Sequence, residues 1–579
     1  MKRVLPALLI VSAVLCGCNK DIISYTEDPV DTSASANKDP DEALGEKDSI
    51  DDVAFDRTIT VTWTESGASV EGDDTGIVKV SGTFVTTDNS NSQDIIRYRL
   101  GGTCSNGCFK LYSARKQAIV MQGLNLTNKS GAAINNQSRK RTFVVLEGEN
   151  RLADGPTYSG TPSTEDEKAA FFSEGQLVFS GSGSLTVTAT GKAGITSDDY
   201  LRFMGPQSVS ATSTAGHAFR GKDAIMIDDG IIKASASADG KKGLTSDGAV
   251  TINGGTIDIK VSGGTLTEQV TTNGSTTTEY TGSAGIKADS TFVMTGGVLT
   301  VTNSGQGGKG ITGDQKAFFE GGTVKVTVTG SNLSSTKAPG GGPGWPGGGP
   351  GGPGGSSNNL KSAKGIKFDG DVVVSGGTIE VSASSHEAFE TKGTLKVTGG
   401  TLYGYSTADD AINSAGDMTL SGGFVSGWSP GNDGIDANGN LYVDGACVYA
   451  VSTKGSPEVA FDANTEGGYK LYVKSGTLIA VGGLESGCVI TGSAYSASNW
   501  SRNAWHTLYD NSSNAIISFM TPASGSSLVV YSGGKSVTLK SGTAVENGTT
   551  IWGGNGATGG NVSGGSSVNL SSYSSSSRR

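Results

Sequence analysis

A unit of about 23 residues recurs along most of this chain and constrains its fold more than any other feature. Each copy has a small residue, an apolar anchor, polar residues, a short strand pattern, a Gly-Gly turn and a second strand pattern. In the copy anchored at Leu244, the two strand patterns flank Gly254-Gly255. The anchors are Ile195, Phe219, Leu244, Ile286, Ile311, Ile366, Phe389, Ile412, Ile435 and Phe461, with weaker copies around Ile134 and Phe172.

This period predicts an all-β chain folded as a parallel β-helix, a solenoid of about ten to twelve rungs with β-rich N- and C-terminal caps. Strands this short cannot bury an apolar face alone, whereas stacked repeats share one continuous core. The glycine pairs suit sharp bends that need positive φ. Glycine and proline make up 104 of 579 residues, but no Gly-X-Y period or heptad runs through the chain, which excludes collagen and coiled coils. A propeller blade would need about 40 residues.

Two longer gaps between anchors contain insertions, a Thr-rich one near 262–282 and a Gly-Pro-rich one near 331–359. Runs rich in glycine and proline do not form regular structure. The sequence therefore predicts a chain of six parts. These are a signal peptide (1–17), an acidic disordered tether (18–58), an N-terminal β cap (59–128), the β-helix (129–495), a C-terminal β segment (496–555) and a Gly/Ser-rich tail (556–579).

The first residues are typical of an export signal. Lys2 and Arg3 precede an apolar run that is too short to span a bilayer. The run ends in Leu15-Cys16-Gly17-Cys18, which resembles a bacterial lipobox with Cys18 as the lipidated residue. We therefore expect a lipoprotein of the cell envelope, held at the outer membrane, the surface or the periplasmic face by acyl chains. A plain secretory signal with incidental cysteines is the alternative.

The negative charge is concentrated near the N-terminus. Residues 19–58 carry a net charge of −8, whereas residues 59–579 carry −5. An acidic stretch with few aromatic residues is typical of an extended, disordered spacer. Because the rest of the chain is nearly neutral, the sequence argues against nucleic acid as a partner.

Acidic residues recur at the same offsets in the uninterrupted 23-residue repeats. Equivalent residues of stacked repeats lie about 4.8 Å apart, so neighbouring carboxylates repel unless a cation neutralises them. Ca²⁺, which prefers oxygen ligands, is the natural candidate cofactor; solvated acids in Asx turns are the alternative. The candidate metal ligands are Glu387, Glu390, Asp409, Asp410, Asp433 and Asp436.

Earlier repeats carry cations at equivalent offsets. The net charge is +3 between residues 241 and 370 and −7 between residues 386 and 462. A basic ladder beside an acidic one suits a polyanion that also needs bridging cations, whereas the alternative is that the lysines only protect an exposed surface from aggregation. Asp198, Asp247, Asp289, Asp314 and Asp369, three residues after their anchors, are interpreted mainly as turn formers. The candidate glycan-binding residues are Arg220, Lys242, Lys287, Lys309, Lys364 and Lys367.

The remaining chemistry is sparse, and no catalytic residue is predicted. Cys104 and Cys108 flank Ser-Asn-Gly, which predicts a small disulfide loop in an oxidising compartment. A pairing of Cys447 with Cys488 stays open because sequence does not fix the Cβ geometry. Three tryptophans are either sugar platforms or buried packing residues: Trp428, Trp500 and Trp505.

Several motifs resemble a bacterial family of carbohydrate-binding β-helix lipoproteins. They are the run from Gly123 to Ile134, the Gly-Ile-Lys-x-Asp and Gly-Gly-Thr-Ile segments, Asp433-Gly434-Ile435-Asp436 and Gly476-Thr477-Leu478-Ile479. The resemblance covers roughly residues 59–550. It implies a right-handed parallel β-helix, similar in architecture to certain pectate lyases, that binds acidic plant polysaccharide, notably polygalacturonate, with calcium ions at acidic rung ends.

This chain departs from that family at one position, which limits the residues to which the implied metal role can be assigned. The family often has Asp two residues before the anchor isoleucine, as in Asp-Gly-Ile. Glu387, Asp410 and Asp433 keep an acid there, so the implied metal role is carried over only to these three. The other copies have Ala193, His217, Lys242, Ala284, Lys309 and Lys364 at that place.

Three functions remain open from sequence. The first is non-catalytic capture of an acidic plant or host polysaccharide by an envelope lipoprotein. The second is a calcium-dependent polysaccharide lyase, in which Lys364, Lys367 or Lys392 would abstract a proton. The third is a structural adhesin or spike that presents the 331–359 loop to a protein or surface.

Overall fold

The computed structural model describes residues 47–272, 274–334 and 359–575. The chain from Asp48 onward forms one compact unit whose regular structure is almost entirely β-strand, so the all-β prediction is confirmed. The signal segment, Cys18, most of the acidic tether and the centre of the Gly-Pro insertion lie outside the described residues. No helix among the described residues is long and apolar enough to cross a bilayer.

The anchors form one parallel ladder of strands, which we name the anchor ladder. Each anchor is paired in register with the anchor of the next repeat, for example Ile366 with Phe389 and Phe389 with Ile412. At its start Ile134 pairs with Phe171, so the weak copy is anchored one residue before Phe172. Its described strands are Ile134–Asn136, Ala169–Ser173, Ala193–Ser197, Phe219–Gly221, Lys242–Ser246, Ala284–Ala288, Lys309–Gly313, Lys364–Phe368, Phe389–Thr391, Ile412–Ser414, Ile435–Ala437 and Phe461–Ala463.

The two strand patterns on either side of the Gly-Gly turn form two further parallel ladders, the short ladder and the long ladder. The short ladder contains Thr142–Glu147, Leu177–Gly181, Tyr200–Phe203, Ala224–Ile227, Ala249–Ile252, Phe292–Met294, Ala317–Phe319, Val372–Val374, Leu395–Val397 and Met418–Leu420. The long ladder contains Glu149–Asp154, Ser184–Ala189, Ser208–Ser213, Ile231–Ala236, Thr256–Val261, Val298–Asn303, Thr323–Val328, Thr378–Ala383, Thr401–Ser406 and Phe424–Ser429. Leu441–Ser452 and Leu471–Val481 run through both ladders as single long strands.

Strands at both ends continue the repeat region. The N-terminal ones are Arg57–Thr64, Gly67–Glu71, Val78–Ser81, Phe84–Asn89, Ile96–Cys104, Cys108–Ser113 and Gln117–Asn128. The C-terminal ones are Val489–Ile490, Ala494–Ala497, Trp505–Tyr509, Ala515–Met520, Leu528–Ser532, Thr538–Glu546, Thr549–Ile551, Gly556–Thr558, Asn561–Val568 and Ser571–Ser572. The described short 3₁₀ turns are Ile50–Asp52, Thr465–Gly467 and Trp552–Gly554.

The core is a continuous apolar column that follows the ladders. Side chains alternate, so in Thr323–Val328 the residues Val324 and Val326 are buried while Lys325 is exposed. Each fully buried aliphatic side chain contributes about 1.5–3 kcal/mol. The turn between the short and long ladders requires glycine: Gly423 has φ +75°, and a Cβ there would lie 2.4 Å from the carbonyl oxygen of Gly400.

Both insertions lie at the same corner of the repeat, between a long-ladder strand and the following anchor-ladder strand. We name it the insertion corner. The Thr-rich insertion is an antiparallel hairpin of Leu266–Thr272 and Ser275–Thr281. The base of the Gly-Pro insertion is formed by Leu333–Ser334 and Asn359–Lys361. Extra chain is therefore accommodated at one edge while the core strands keep their pairing.

The compact unit begins at Asp48, eleven residues earlier than the predicted start at 59. The Asp48 carboxylate is buried between two guanidinium groups, 2.9 Å from Nε of Arg141 and 2.8 Å from an Nη of Arg202. The Tyr200 hydroxyl donates a hydrogen bond of 2.6 Å to the same carboxylate. These contacts fix the end of the acidic stretch, which composition alone assigned to the tether.

The predicted disulfide between Cys104 and Cys108 is not formed, because both are free thiols in this structure. Cys104 is buried in the apolar core, at the end of its strand. Cys108 begins the next strand, where its neighbour Phe109 faces the core, so Cys108 faces the other side. Cys447 and Cys488 are also free. Burial raises the pKa of the Cys108 thiol to about 11.

Candidate functional site

Two rows of side chains point outward from the anchor ladder. The residue directly before each anchor is small because it faces the core: a Cβ at Gly365 would lie 2.3 Å from Cγ1 of Val381. The residues two before and one after the anchor therefore point away from the core and lie side by side. We name these rows the −2 column and the +1 column.

Strand pairing stacks the members of each column directly over one another. In the −2 column Lys242 pairs with Ala284, Ala284 with Lys309 and Lys309 with Lys364. The same column then continues into Glu387, Asp410 and Asp433. The +1 column runs through Arg220, Thr245, Lys287, Thr312, Lys367, Glu390, Asn413, Asp436 and Asp462. Both columns thus change from basic to acidic between the repeats of Ile366 and Phe389.

The basic residues of the +1 column are already paired with acids. Arg220 lies 2.8 Å from Asp247, and Lys287 lies 3.3 Å from Asp314. Lys367 contacts Asp369. The aspartates three residues after the anchors, which we interpreted as turn formers, are therefore the ion-pair partners of this column. These pairs lower the net field that Arg220, Lys287 and Lys367 present to a polyanion.

Lys242 and Lys309 of the −2 column differ, because no carboxylate of the described residues lies within 4.0 Å of either ammonium group. Nζ of Lys242 instead donates a hydrogen bond of 2.6 Å to the carbonyl oxygen of Gly240. Burial, followed by repulsion from neighbouring lysines, lowers the pKa of each to about 8. These two predicted glycan-binding residues keep an unneutralised positive charge at moderately acid pH.

Lys364 joins the basic and acidic parts. Its ammonium nitrogen lies 3.0 Å from Oε2 of Glu387 and 2.5 Å from Oε2 of Glu390. The Glu390 side chain is fully buried and also contacts the exposed Lys392. Three predicted site residues, Lys364, Glu387 and Glu390, thus form one internal ion-pair network.

His386 neutralises the next part of the acidic column. Its Nδ1 lies 2.8 Å from a carboxylate oxygen of Asp409 and contacts Glu387. Burial lowers the pKa of the imidazole, but hydrogen bonds with Asp409 and Glu387 outweigh it and raise the pKa to about 9. The oxygen and nitrogen atoms of His386, Glu387 and Asp409 lie within 4.8 Å of one another. The protonated imidazole pairs with both carboxylates, and these three side chains form one of two described groups whose ligand atoms lie close enough together to hold a metal ion.

Asp410, Asp433 and Asp436 form a cluster without a basic partner among the described residues. The Asn413 amide donates to both Asp410 and Asp436, with distances of 3.0 and 2.7 Å. The backbone N–H of Asp433 donates to Asp410, and that of Val459 donates to Asp433. Asn413 therefore holds carboxylates of two neighbouring repeats together.

The acidic cluster extends further than we predicted from sequence. Asp462 pairs with Asp436 in the +1 column, and its carboxyl group is in hydrogen-bonding contact with Asp436 and Glu485. Glu458 contacts Asp433 in the same way. Asp462 directly follows the anchor Phe461, so the +1 offset from the anchors would have predicted its place in the +1 column. Glu485 lies beyond the last anchor, where the repeat gives no signal.

Burial and mutual repulsion make these acids hold their protons. Burial, then repulsion from Asp436 and its neighbours, raises the pKa of Asp410 well above its usual value. The same causes raise the pKa of Asp433 and Asp436 to about 7 and that of Asp462 to about 9. Carboxylate oxygens are the ligands that Ca²⁺ prefers, and a bound divalent cation would offset the repulsion. The donor chemistry of these aspartates therefore suits a hard cation, whereas the ligand atoms that already converge within 4.8 Å in this part of the columns belong to His386, Glu387 and Asp409.

A second acidic group, Asp166, Glu174 and Asp198, has ligand atoms within 4.8 Å of one another. Lys168 lies 2.7 Å from Asp166 and also contacts Asp198, so this group carries its own cation. The three tryptophans considered as sugar platforms differ in environment. Trp500 is buried, whereas Trp428 and Trp505 are half-buried.

Comparison with known proteins identifies the family type. A family model described as "carbohydrate-binding domain-containing protein" matches residues 81–411 and 355–556. A solved structure of a polysaccharide lyase-like protein from C. thermocellum, a gadolinium derivative, covers 47% of this chain and 95% of its own, with 19% identity and a TM-score of 0.32. No curated protein matches the chain at a significant level.

Proposed function

The chain belongs to the carbohydrate-binding domain-containing protein family, and from that premise we propose that it captures an acidic polysaccharide, such as polygalacturonate, without cleaving it. The observation that carries the proposal is the cluster of Asp410, Asp433, Asp436 and Asp462. Buried acids that lack a basic partner are costly unless a cation or protons neutralise them. A glycan carboxylate that shares such a cation with the protein would be held by charge and by coordination together.

We further propose that the anchor, short and long ladders are the three faces of one right-handed parallel β-helix. Parallel pairing between equivalent strands of successive repeats supports this arrangement. The proposal accounts for the two columns. In a coil with the same number of residues in every turn, residues 23 apart in the sequence lie on adjacent strands, directly over one another. A polysaccharide chain lying along the columns would then meet several repeats at once.

The proposed Ca²⁺ ligands are Asp410, Asp433, Asp436 and Asp462. The Asn413 amide would hold Asp410 and Asp436 in place. Calcium supplies a positive charge with open coordination positions for ligand oxygens. Glu387, Glu390 and Asp409 fit this role less well because Lys364 and His386 already neutralise them. The proposed metal site thus keeps Asp410, Asp433 and Asp436 of the predicted ligands and adds Asp462, nearer the C-terminal repeats.

The test is binding of polygalacturonate to the full-length protein by calorimetry, with Ca²⁺ and with EDTA, while the absorbance of unsaturated product is followed. We expect calcium-dependent binding without product. Asp436→Asn should weaken binding at least tenfold, on the order expected for a lost charged ligand, and Asp258→Asn, on the long ladder away from the columns, should leave it unchanged. Product formation would make the protein a lyase. Absence of binding with the fold intact would leave the adhesin hypothesis.

We also propose that the chain is a lipoprotein attached through Cys18. The support is the Leu15-Cys16-Gly17-Cys18 motif after a short apolar run. Such a protein would present its binding columns in the cell envelope, at the outer membrane, the surface or the periplasmic face. Mass spectrometry of the N-terminal peptide should show acyl chains on Cys18, and Cys18→Ala should release the protein from membranes. An unmodified Cys18 in membrane-extracted protein would refute the anchor.

A further inference from the structure

A basic cavity lies at the opposite end of the columns from the acidic cluster. It has a volume of about 310 Å³ and is lined by Lys168, Lys192, His217, Arg220 and Lys241 together with backbone of small residues. No carboxylate is among its lining residues. A concave site of this size and charge is suited to one small anionic group with its attached ring.

The cations of the cavity differ in how far they are neutralised. Lys168 and Arg220 are ion-paired with aspartates that lie outside the lining. Lys192 contacts a backbone carbonyl oxygen and lies 4.4 Å from the centre of the Tyr158 ring. No carboxylate of the described part of the chain lies within 4.0 Å of Nζ of Lys192 or Lys241. At least two positive charges therefore remain available to a ligand.

His217 supplies a neutral donor to the same cavity. Its Nδ1 accepts a hydrogen bond of 3.0 Å from the backbone N–H of Lys242, so the ring proton is on Nε2. Burial, followed by repulsion from Lys242, Lys241 and Arg220, lowers the pKa of His217 to about 3. The imidazole thus stays uncharged and has Nε2–H available as a donor, instead of adding a further repelling charge.

The backbone beside the cavity is closely packed and requires glycine at two positions. A Cβ at Gly191 would lie 2.8 Å from the Tyr158 ring, and a Cβ at Gly216 would lie 2.5 Å from the backbone nitrogen of Ala193. The Asp154 carboxylate accepts hydrogen bonds from the backbone N–H groups of Thr190 and Gly191, which fixes the turn that carries Lys192. The cationic wall therefore has a defined position.

We propose that this cavity is a calcium-independent subsite for a single anionic sugar residue, recognised through its carboxylate or sulfate group by Lys192, Lys241 and Nε2–H of His217. The subsite rests on the proposed polysaccharide function and extends it. It lies six repeats from Asp410, roughly 29 Å at the strand spacing. One acidic chain bound along the columns would then meet a cation-mediated contact at one end and a direct basic contact at the other.

The experiment titrates galacturonate, galactose 6-sulfate and neutral galactose into the full-length protein in EDTA, by calorimetry. We expect at least one of the two anionic sugars to bind and galactose to bind at least tenfold more weakly. Which anion binds more tightly distinguishes a carboxylate from a sulfate subsite. Lys241→Gln and Lys192→Gln should each weaken binding about tenfold, and the exposed Lys233→Gln should have no effect. Both lysines are only half-buried, so circular dichroism should show an unchanged fold.

Equal affinity for galactose, or unchanged binding in both lysine variants, would overturn the subsite. Its failure is distinguishable from failure of the proposed function. If Asp436→Asn abolishes calcium-dependent polymer binding while Lys241→Gln changes nothing, the acidic cluster stands and the subsite fails. If galacturonate binds in EDTA but the polymer shows no calcium dependence, the subsite stands and the calcium proposal fails.

Discussion

Lys364 is the most informative residue to replace, because it neutralises two buried acids at the point where the columns change sign. Lys364→Met keeps the length of the side chain and removes its charge, which leaves Glu387 and Glu390 without their shared partner. Loss of one member of a buried ion pair costs about 3–5 kcal/mol. Lys392 still contacts Glu390 and His386 still contacts Glu387, so we expect the lower value, about 3 kcal/mol.

Hydrogen exchange measures this loss locally, which suits a repeat array because its repeats need not unfold together. The backbone N–H groups of Ile366 and Phe389 are bonded to the next repeat and should exchange about 100-fold faster in Lys364→Met, since 1.4 kcal/mol is tenfold. Lys325→Met, an exposed change on the long ladder, is the matched control. Lys364→Met combined with Glu390→Gln should recover more than half of the protection. Wild-type exchange in the single variant, or no recovery in the double variant, would refute the reasoning.

Three further predictions follow from the geometry. In EDTA the melting temperature should fall as the pH rises from about 4 to about 7. Folded Asp433 and Asp436 have pKa values of about 7, so in this range they hold protons that unfolded carboxyl groups have released. Added Ca²⁺ should flatten the pH dependence, and a pH profile that Ca²⁺ leaves unchanged would contradict the cation site. Gly423→Ala should destabilise the fold by at least about 1 kcal/mol, because its left-handed backbone is strained for alanine, and denaturant titration that detects no loss would show that the turn relaxes. Unfolded but unreduced protein should alkylate at both Cys104 and Cys108, whereas a mass 2 Da lower than that of the reduced protein would indicate a disulfide.

The repeat made much of the fold predictable. Spacing alone identified the anchors, and their strands pair anchor on anchor from Ile195 to Phe461. Column reasoning also placed Asp410 above Asp433 and Glu390 above Asn413 correctly, since a fixed number of residues per repeat fixes which side chains stack.

Contacts between side chains of different columns, or of segments outside the repeat, could not be predicted from the repeat spacing. Lys364 neutralises Glu387 and Glu390 because the small residue before the anchor turns the −2 position outward, next to the +1 position. Asp48 joins Arg141 and Arg202 over a sequence distance that no repeat encodes. The basic cavity combines Lys168, Lys192 and Lys241, which all stand three residues before their anchors but lie outside the two columns considered from sequence.

The insertion corner has an evolutionary consequence. Each anchor strand after an insertion begins with a −2 residue, as Ala284 and Lys364 do, so any chain added there borders the two columns without entering the core. Loops can therefore be exchanged or lengthened at this corner, one repeat at a time, and change what lies beside the columns while the core pairing stays the same. Duplication of a whole 23-residue unit would lengthen both columns together, so the length of this surface can change by whole repeats.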